Sequence, residues 1–146
     1  MPQQLDLHLA PRTDELPRLA EALEALARSH ELPAPLTMQL NLALDELLTN
    51  IATHGQTHPE QPATEVLVRL RIEGNRLHVS IIDDGPPFDP REIPPPDLDA
   101  DVEDRQIGGL GLHLVRHFTD EMHYRRRDRH NELVLIRKLS DDPDLS

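Results

Sequence analysis

Three groups of residues in this 146-residue chain have types and spacings suited to chemistry. In "LALDELLTNIATHG", residues 42–55, a carboxylate (Glu46), an amide (Asn50) and an imidazole (His54) recur every four residues. On a helix, successive members of that row lie about 40° apart. The apolar stripe Leu36, Leu40, Leu44, Leu47 and Ile51 is centred about 120° from Glu46 and about 80° from Asn50. Both polar residues therefore belong at the rim of the buried face, where a cleft beside a sheet can open. An ordinary helix boundary is the alternative, with Asn50 satisfied by a neighbour. An unpartnered amide there costs about 1–3 kcal/mol, so something is expected to bond it.

The second group is "IIDDGPPF", where Asp83 leaves a strand and Gly85 lets a ligand approach the backbone. A plain Asp-Gly turn is the competing account. The third is Gly108, Gly109 and Gly111, which open a helix. Free amides at a helix start bind anions, and glycine removes the side chains that would block a phosphate. A flexible hinge is the alternative.

The surrounding sequence must position these groups. "QLDLHLA" alternates Leu5, Leu7 and Leu9 with polar residues, the period of a half-buried strand. Leu16, Leu19, Leu23 and Leu26 then mark a first helix, with Thr13 or Asp14 as cap and Pro17 in its first turn. Pro35 opens a second helix that runs to a stop at Gly55. A polar loop follows over 56–63. Two strands then meet at Gly74-Asn75, a tight-hairpin signal because both residues tolerate positive φ. A long loop with six prolines and many acids occupies about 86–108. A third helix presents Leu110, Leu114, Val115 and Phe118, and two final strands turn near residues 128–131. The order β-α-α-β-β-loop-α-β-β predicts an α+β fold. It is a two-layer sandwich with a mixed, mostly antiparallel sheet and helices on one face. One domain over 1–140 and a disordered acidic tail at 141–146 are expected.

Composition narrows the function. The formal net charge is −12, which repels phosphate backbones and argues against nucleic-acid binding. Only one Tyr and two Phe are present, too few for a base-stacking platform. There is no cysteine, hence no disulfide and no thiolate zinc site. No apolar run is long enough to span a bilayer, and the first residues lack a signal-peptide pattern, so a soluble cytoplasmic protein is expected. P-loop, kinase "HRD" and "DFG" motifs and a serine nucleophile elbow are all absent. The glycines of "IGGLGLHLV" follow a loop rather than a strand, which speaks against a dinucleotide fold.

Taken together, Glu-x-x-x-Asn on a helix, Asp-x-Gly after a strand, a long loop and Gly-x-Gly opening a helix resemble the ATP-binding domain of the GHKL group. That group includes gyrase-type ATPases, histidine kinases and MutL-type proteins. The stretches "ALDELLTNIATHG", "DDGPPFDP" and "GGLGLHLVRHFTDEMHYRR", and the stand-alone length, are similar to the bacterial anti-sigma factor serine-protein kinases. The resemblance covers almost the whole chain.

It implies ATP and Mg²⁺ as cofactors. Asp83 would accept a hydrogen bond from the adenine amine, where guanine presents a carbonyl, so ATP is preferred to GTP. Asn50 would ligate Mg²⁺ through its amide oxygen, a hard ligand. Glu46 would be the general base for a target serine hydroxyl, with a pKa tending upward at its apolar rim. Gly85, Gly108, Gly109, Leu110, Gly111 and Leu112 complete the implied nucleotide site, with the backbone amides of 109–111 on the phosphates. The acidic, proline-rich loop would be the ATP lid. Relatives often carry a basic residue where Leu110 stands, and its absence removes one phosphate contact. The implied partners are a sigma factor and an anti-anti-sigma protein of the STAS type, with homodimerisation. A module that binds ATP and sequesters a partner without phosphoryl transfer is the alternative function.

Other polar features read as structural. His54 is expected to close the second helix, where imidazolium is favoured. His113 and His117 lack a third metal ligand at recognisable spacing. Arg125, Arg126, Arg127 and Arg129 are expected to be a solvated turn.

Overall fold

Alternation of leucines with Gln4, Asp6 and His8 buries one face of strand β1 (Gln4–Leu9). The computed structural model describes residues 4–55, 60–92 and 109–139. Gly108, the 93–108 part of the expected lid, positions 56–59 and the tail at 141–146 lie outside the described residues.

Helix α1 (Leu16–Ser29) turns Leu19, Leu23 and Leu26 inward. Neither Thr13 nor Asp14 caps it. They form a single 3₁₀ turn, Thr13–Glu15, and Glu15 takes the cap position without a side-chain cap bond. Pro17 has no N–H to offer a capping oxygen, and the Glu15 carboxylate instead accepts from Ala10 N at 2.9 Å. Helix α2 (Ala34–His54) begins with proline in its first turn and buries Leu36, Leu40, Ala43, Leu44, Leu47, Leu48 and Asn50.

Gly55 ends α2 with φ −65°, a right-handed conformation, so it is not needed for a left-handed stop. It is needed for space. A Cβ on Gly55 would lie 2.3 Å from the Ile51 carbonyl oxygen and 2.6 Å from the Ala63 methyl. Ala63 then donates to the Gly55 carbonyl at 2.7 Å, which anchors the chain as it enters the sheet.

Strands β2 (Val66–Glu73) and β3 (Arg76–Asp83) form the expected hairpin. Only Gly74 takes positive φ, at 59°, and Asn75 does not. A glycine at the first turn position is the pattern of a type II′ turn. Helix α3 (Gly109–Phe118) buries Leu112, Val115 and Phe118. Leu114, expected on its apolar face, is 49% exposed, because the inward stripe runs at every third residue here. Strands β4 (Glu121–Arg127) and β5 (His130–Lys138) close on Asp128 and Arg129, both at positive φ (54° and 66°). That is the type I′ geometry, built without glycine.

The sheet order is β1-β2-β3-β5-β4, and every pairing is antiparallel. The expected mixed sheet is therefore corrected. β4 does run in the same direction as β3, but β5 inserts between them. The sheet offers Val68, Leu70, Val79, Ile81, Leu133 and Leu135 to one core with Leu19, Leu23, Leu40, Leu44, Leu47 and Val115 of the helices. One row across the five strands changes character along its length. It reads Leu9, Val66, Asp83, Asn131, Arg126, apolar at one edge and polar at the other.

Candidate active site

The polar end of that row faces the second half of α2. Asn50 is buried at 8% exposure and Asp83 at 7%, and both line one small cavity. Leu47, Ile51, Ile81, Phe88, Pro90, Tyr124, Asn131 and Leu133 complete its walls. Its volume is about 30 Å³. Wider open grooves, about 550 Å³ between α1 and α2 and about 620 Å³ beside Ala63, lie away from these residues. The small cavity holds the convergent polar groups, so it is the candidate centre.

Glu46 sits one turn before Asn50, half-buried. Burial raises its pKa above the ordinary carboxylate value, and the Asn50 amide draws it part of the way back. Even so, Glu46 Oε1 and Asn50 Nδ2 are buried without a well-formed hydrogen bond. The Asn50 amide nitrogen, expected to be bonded, thus has no more than this loose contact with Glu46 among the described residues. An unpaired amide nitrogen in the cavity wall, with an unpaired carboxylate oxygen one turn away on the same helix, fits a site built for a ligand that completes them.

The neighbouring aspartates in "DDG" have opposite characters. Asp83 is pushed up by burial, and Gly85 and Asn131 offset part of that. Its Oδ2 accepts from Gly85 N at 3.0 Å and from Asn131 Nδ2 at 3.2 Å. Burial would raise Asp84 too, but the Thr64 hydroxyl and the Thr64 and Glu65 amides bring it below the ordinary value. Asp84 is therefore a fastener for the chain at 64–65, and Asp83 is the one that faces the cavity. Gly85 sits where a side chain would be crowded. A Cβ there would lie 3.0 Å from Asp83 Oδ2 and 3.1 Å from the Ala63 methyl.

Several contributors were not singled out from sequence. Asn131 lies opposite Asp83 in the β3–β5 register, Tyr124 donates to Asn131 Oδ1, and Arg126 donates to the Gly85 carbonyl at 2.7 Å. Arg126 is thus committed to the site, whereas Arg125 pairs with Glu132 at 2.9 Å in the expected solvated manner. Arg116 of α3 donates to the carbonyls of Pro90 (3.1 Å) and Arg91 (3.2 Å), tying the 3₁₀ turn Pro90–Glu92 to α3. The available signal for Asn131 was strand parity, since it shares a face with Leu133 and Leu135.

The glycines at 109 and 111 stand in the first turn of α3, and Leu110 lies between them. Leu112, expected at the nucleotide, has its side chain in the core at 4% exposure, so only its backbone can face a ligand. His54 ends α2 and stacks on Phe88, with ring centroids 4.6 Å apart and an interplanar angle of 16°. His113 and His117 meet edge to face at 4.3 Å, and no cluster of three metal-binding side chains occurs among the described residues. No described helix is long and apolar enough to cross a membrane.

Residues 9–137 match the model of the histidine kinase-like ATPase domain. The chain is 38% identical over 113 residues to the serine/threonine-protein kinase BtrW of Bordetella bronchiseptica, spanning 77% of this chain and 78% of that protein. It is 34% identical over 87 residues to the serine-protein kinase RsbW of Listeria monocytogenes, spanning 57% of this chain and 54% of RsbW. The match to RsbW therefore covers about half the length of that relative. Among solved structures, the RsbU and RsbW domains of Rv1364c from Mycobacterium tuberculosis superimpose with TM-score 0.65 at 14% identity, over 95% of this chain and 33% of that one. The blue-light activated histidine kinase EL346 of Erythrobacter litoralis gives TM-score 0.53 at 20% identity, over 91% and 43%. Those two likenesses speak to the fold alone.

The chain belongs to the histidine kinase-like ATPase family. Within that family it falls in the anti-sigma kinase branch, with the serine/threonine-protein kinase BtrW and the serine-protein kinase RsbW.

Proposed function

We propose that this chain transfers the γ-phosphoryl group of Mg-ATP to a serine hydroxyl of a small STAS-type anti-anti-sigma protein. In the same reading it is an anti-sigma factor of the cytoplasm, working as a homodimer that holds its sigma factor until the partner displaces it. One observation carries the nucleotide reading: Asn50 and Asp83 converge on one cavity, and among the described residues Asn50 and its neighbour Glu46 each keep a buried atom without a well-formed hydrogen bond. The kinship with BtrW and RsbW supports the reaction class.

In this reading each residue has one task. Asp83 keeps Oδ1 for the adenine amine, because both donors described on it lie on Oδ2. Asn50 would hold Mg²⁺ through its amide oxygen, a hard ligand for a phosphate-bound cation. With Mg²⁺ bound, charge on the transferring phosphoryl group is neutralised. The backbone amides opening α3 receive the phosphates, aided by the helix dipole. Glu46 takes the serine proton as the hydroxyl oxygen bonds to the γ-phosphorus and ADP leaves. A 30 Å³ space holds little more than a water molecule, so the cavity must widen for adenine to enter.

The sequestering module without phosphoryl transfer has one feature in its favour, the apolar Leu110 between the two glycines. Incubation with γ-labelled ATP and a STAS-type protein separates the readings. Label on a partner serine that disappears in Asn50→Ala supports the kinase. Nucleotide-dependent capture without label supports the module.

A further inference from the structure

Asn131 is 4% exposed, and its side-chain amide uses all of its bonding capacity. Nδ2 donates to Asp83 Oδ2 at 3.2 Å and to the Pro86 carbonyl at 2.8 Å. Oδ1 accepts from Phe88 N at 3.3 Å and from the Tyr124 hydroxyl. These four partners fix which way the amide points. A flipped amide would aim its oxygen at a carboxylate and a carbonyl, and its N–H at the Phe88 N–H. Each pairing would set like against like, so the donor face of Asn131 is locked onto Asp83.

The lock has a consequence for Asp83. Gly85 N and Asn131 both donate to Oδ2. Oδ1 receives no hydrogen bond among the described residues and is left as an acceptor for a ligand's donor. Without Asn131 the carboxylate would lose its side-chain donor, turn more freely about its last bond, and hold a proton more readily in its buried place. A protonated or rotated carboxyl can donate as well as accept, and would then tolerate a carbonyl or a bare C–H where an amine belongs.

We propose that Asn131 is the positioning residue for base selection: it pins Asp83 as a pure acceptor and so sets the preference for a purine that carries a 6-amine. This rests on the nucleotide reading above. The Tyr124 hydroxyl belongs to the same device, since it orients the amide from the far side across the β4–β5 pair.

The test is a ratio of affinities. Calorimetry on the full chain with Mg²⁺ compares ATP with purine riboside 5′-triphosphate, which lacks the 6-amine. The wild-type chain prefers ATP by about tenfold or more, the usual value of a hydrogen bond to a charged group. Asn131→Asp is isosteric and keeps the acceptor for Tyr124 and Phe88, but its carboxyl would share a proton with Asp83 in place of the fixed amide N–H, so Asp83 is no longer held as a pure acceptor. It lowers the ratio by about tenfold while a melting curve shows a folded chain. If Asn131→Asp does not fold, Tyr124→Phe carries the test, and a fall in its ratio supports the assignment. Variants that weaken both nucleotides equally and keep the wild-type ratio overturn it, because a merely structural role moves affinity without moving selectivity. A wild-type chain that prefers neither nucleotide overturns the reading of Asp83 itself and this inference with it. A preference retained in the variants overturns this inference alone.

Discussion

Glu46 and Asn50 stand one turn apart on α2, and each keeps a buried polar atom without a well-formed hydrogen bond among the described residues. Elsewhere in the site the buried amide of Asn131 is fully bonded. The contrast separates residues that hold the site together from residues left open to a ligand.

Glu46→Gln removes the proposed base. Phosphoryl transfer falls by about 10²–10⁴-fold while ATP affinity stays nearly unchanged, measured as single-turnover labelling beside calorimetric titration. The wild-type rate rises with pH as Glu46 loses its proton. Because burial raises its pKa, that rise is centred above the ordinary value of 4.5. A rate already at its plateau below that value would remove Glu46 from the role.

Asn50→Leu replaces an unsatisfied buried amide with an apolar side chain of similar size. The ligand-free chain is expected to melt at the same temperature or higher, since the unmet polar group costs about 1–3 kcal/mol. The same variant loses the gain in stability that Mg-ATP gives the wild type. Thermal melts with and without Mg-ATP check both halves.

Asp83→Asn shows the same opposition through charge. The raised pKa means that the folded chain binds this proton more tightly than the unfolded chain does. The contribution of Asp83 to stability therefore declines as pH climbs from the ordinary 3.8 through the raised value, and it stays low above that. Removing the charge is expected to raise the melting temperature at neutral pH and to weaken ATP binding by tenfold or more, on the order of one charged hydrogen bond. Equal loss of both would refute the trade.

Arg116→Ala frees the Pro90–Glu92 turn from α3. Loss of two charge-assisted bonds is expected to cost about 1–3 kcal/mol in denaturant melts and to raise the KM for ATP more than it lowers kcat. Arg116→Lys is expected to restore part of this, because both bonds come from the one nitrogen Nη2 and an ammonium also carries several N–H donors.

Much of this arrangement was legible before any coordinates. Leucine periodicity placed the three helices, and the Gly74 turn joined β2 to β3. Glu46 and Asn50 could be put at a rim because helical angles follow from spacing alone. Two things were not legible, for physical reasons. Asn131 sits on a strand whose start was assigned to a turn, and only the pairing of β5 with β3 brings it to Asp83. Leu114 and Leu112 exchanged places because the face of a short helix is decided by its neighbour, here α2, and not by its own pattern. The choice between Asp83 and Asp84 became physical only when Thr64 and Glu65 were seen to occupy the second.

Ala63 touches the space of two glycines at once, Gly55 at the end of α2 and Gly85 behind Asp83. Three elements from distant parts of the chain thus share one methyl-sized gap. Their sizes are not independent variables. A change from glycine to alanine at either end alters what position 63 can be, and the reverse holds too. In any survey of variants, substitutions at 55, 63 and 85 should show epistasis with one another. A relative with a bulkier residue at one of the three is expected to carry its compensation at another.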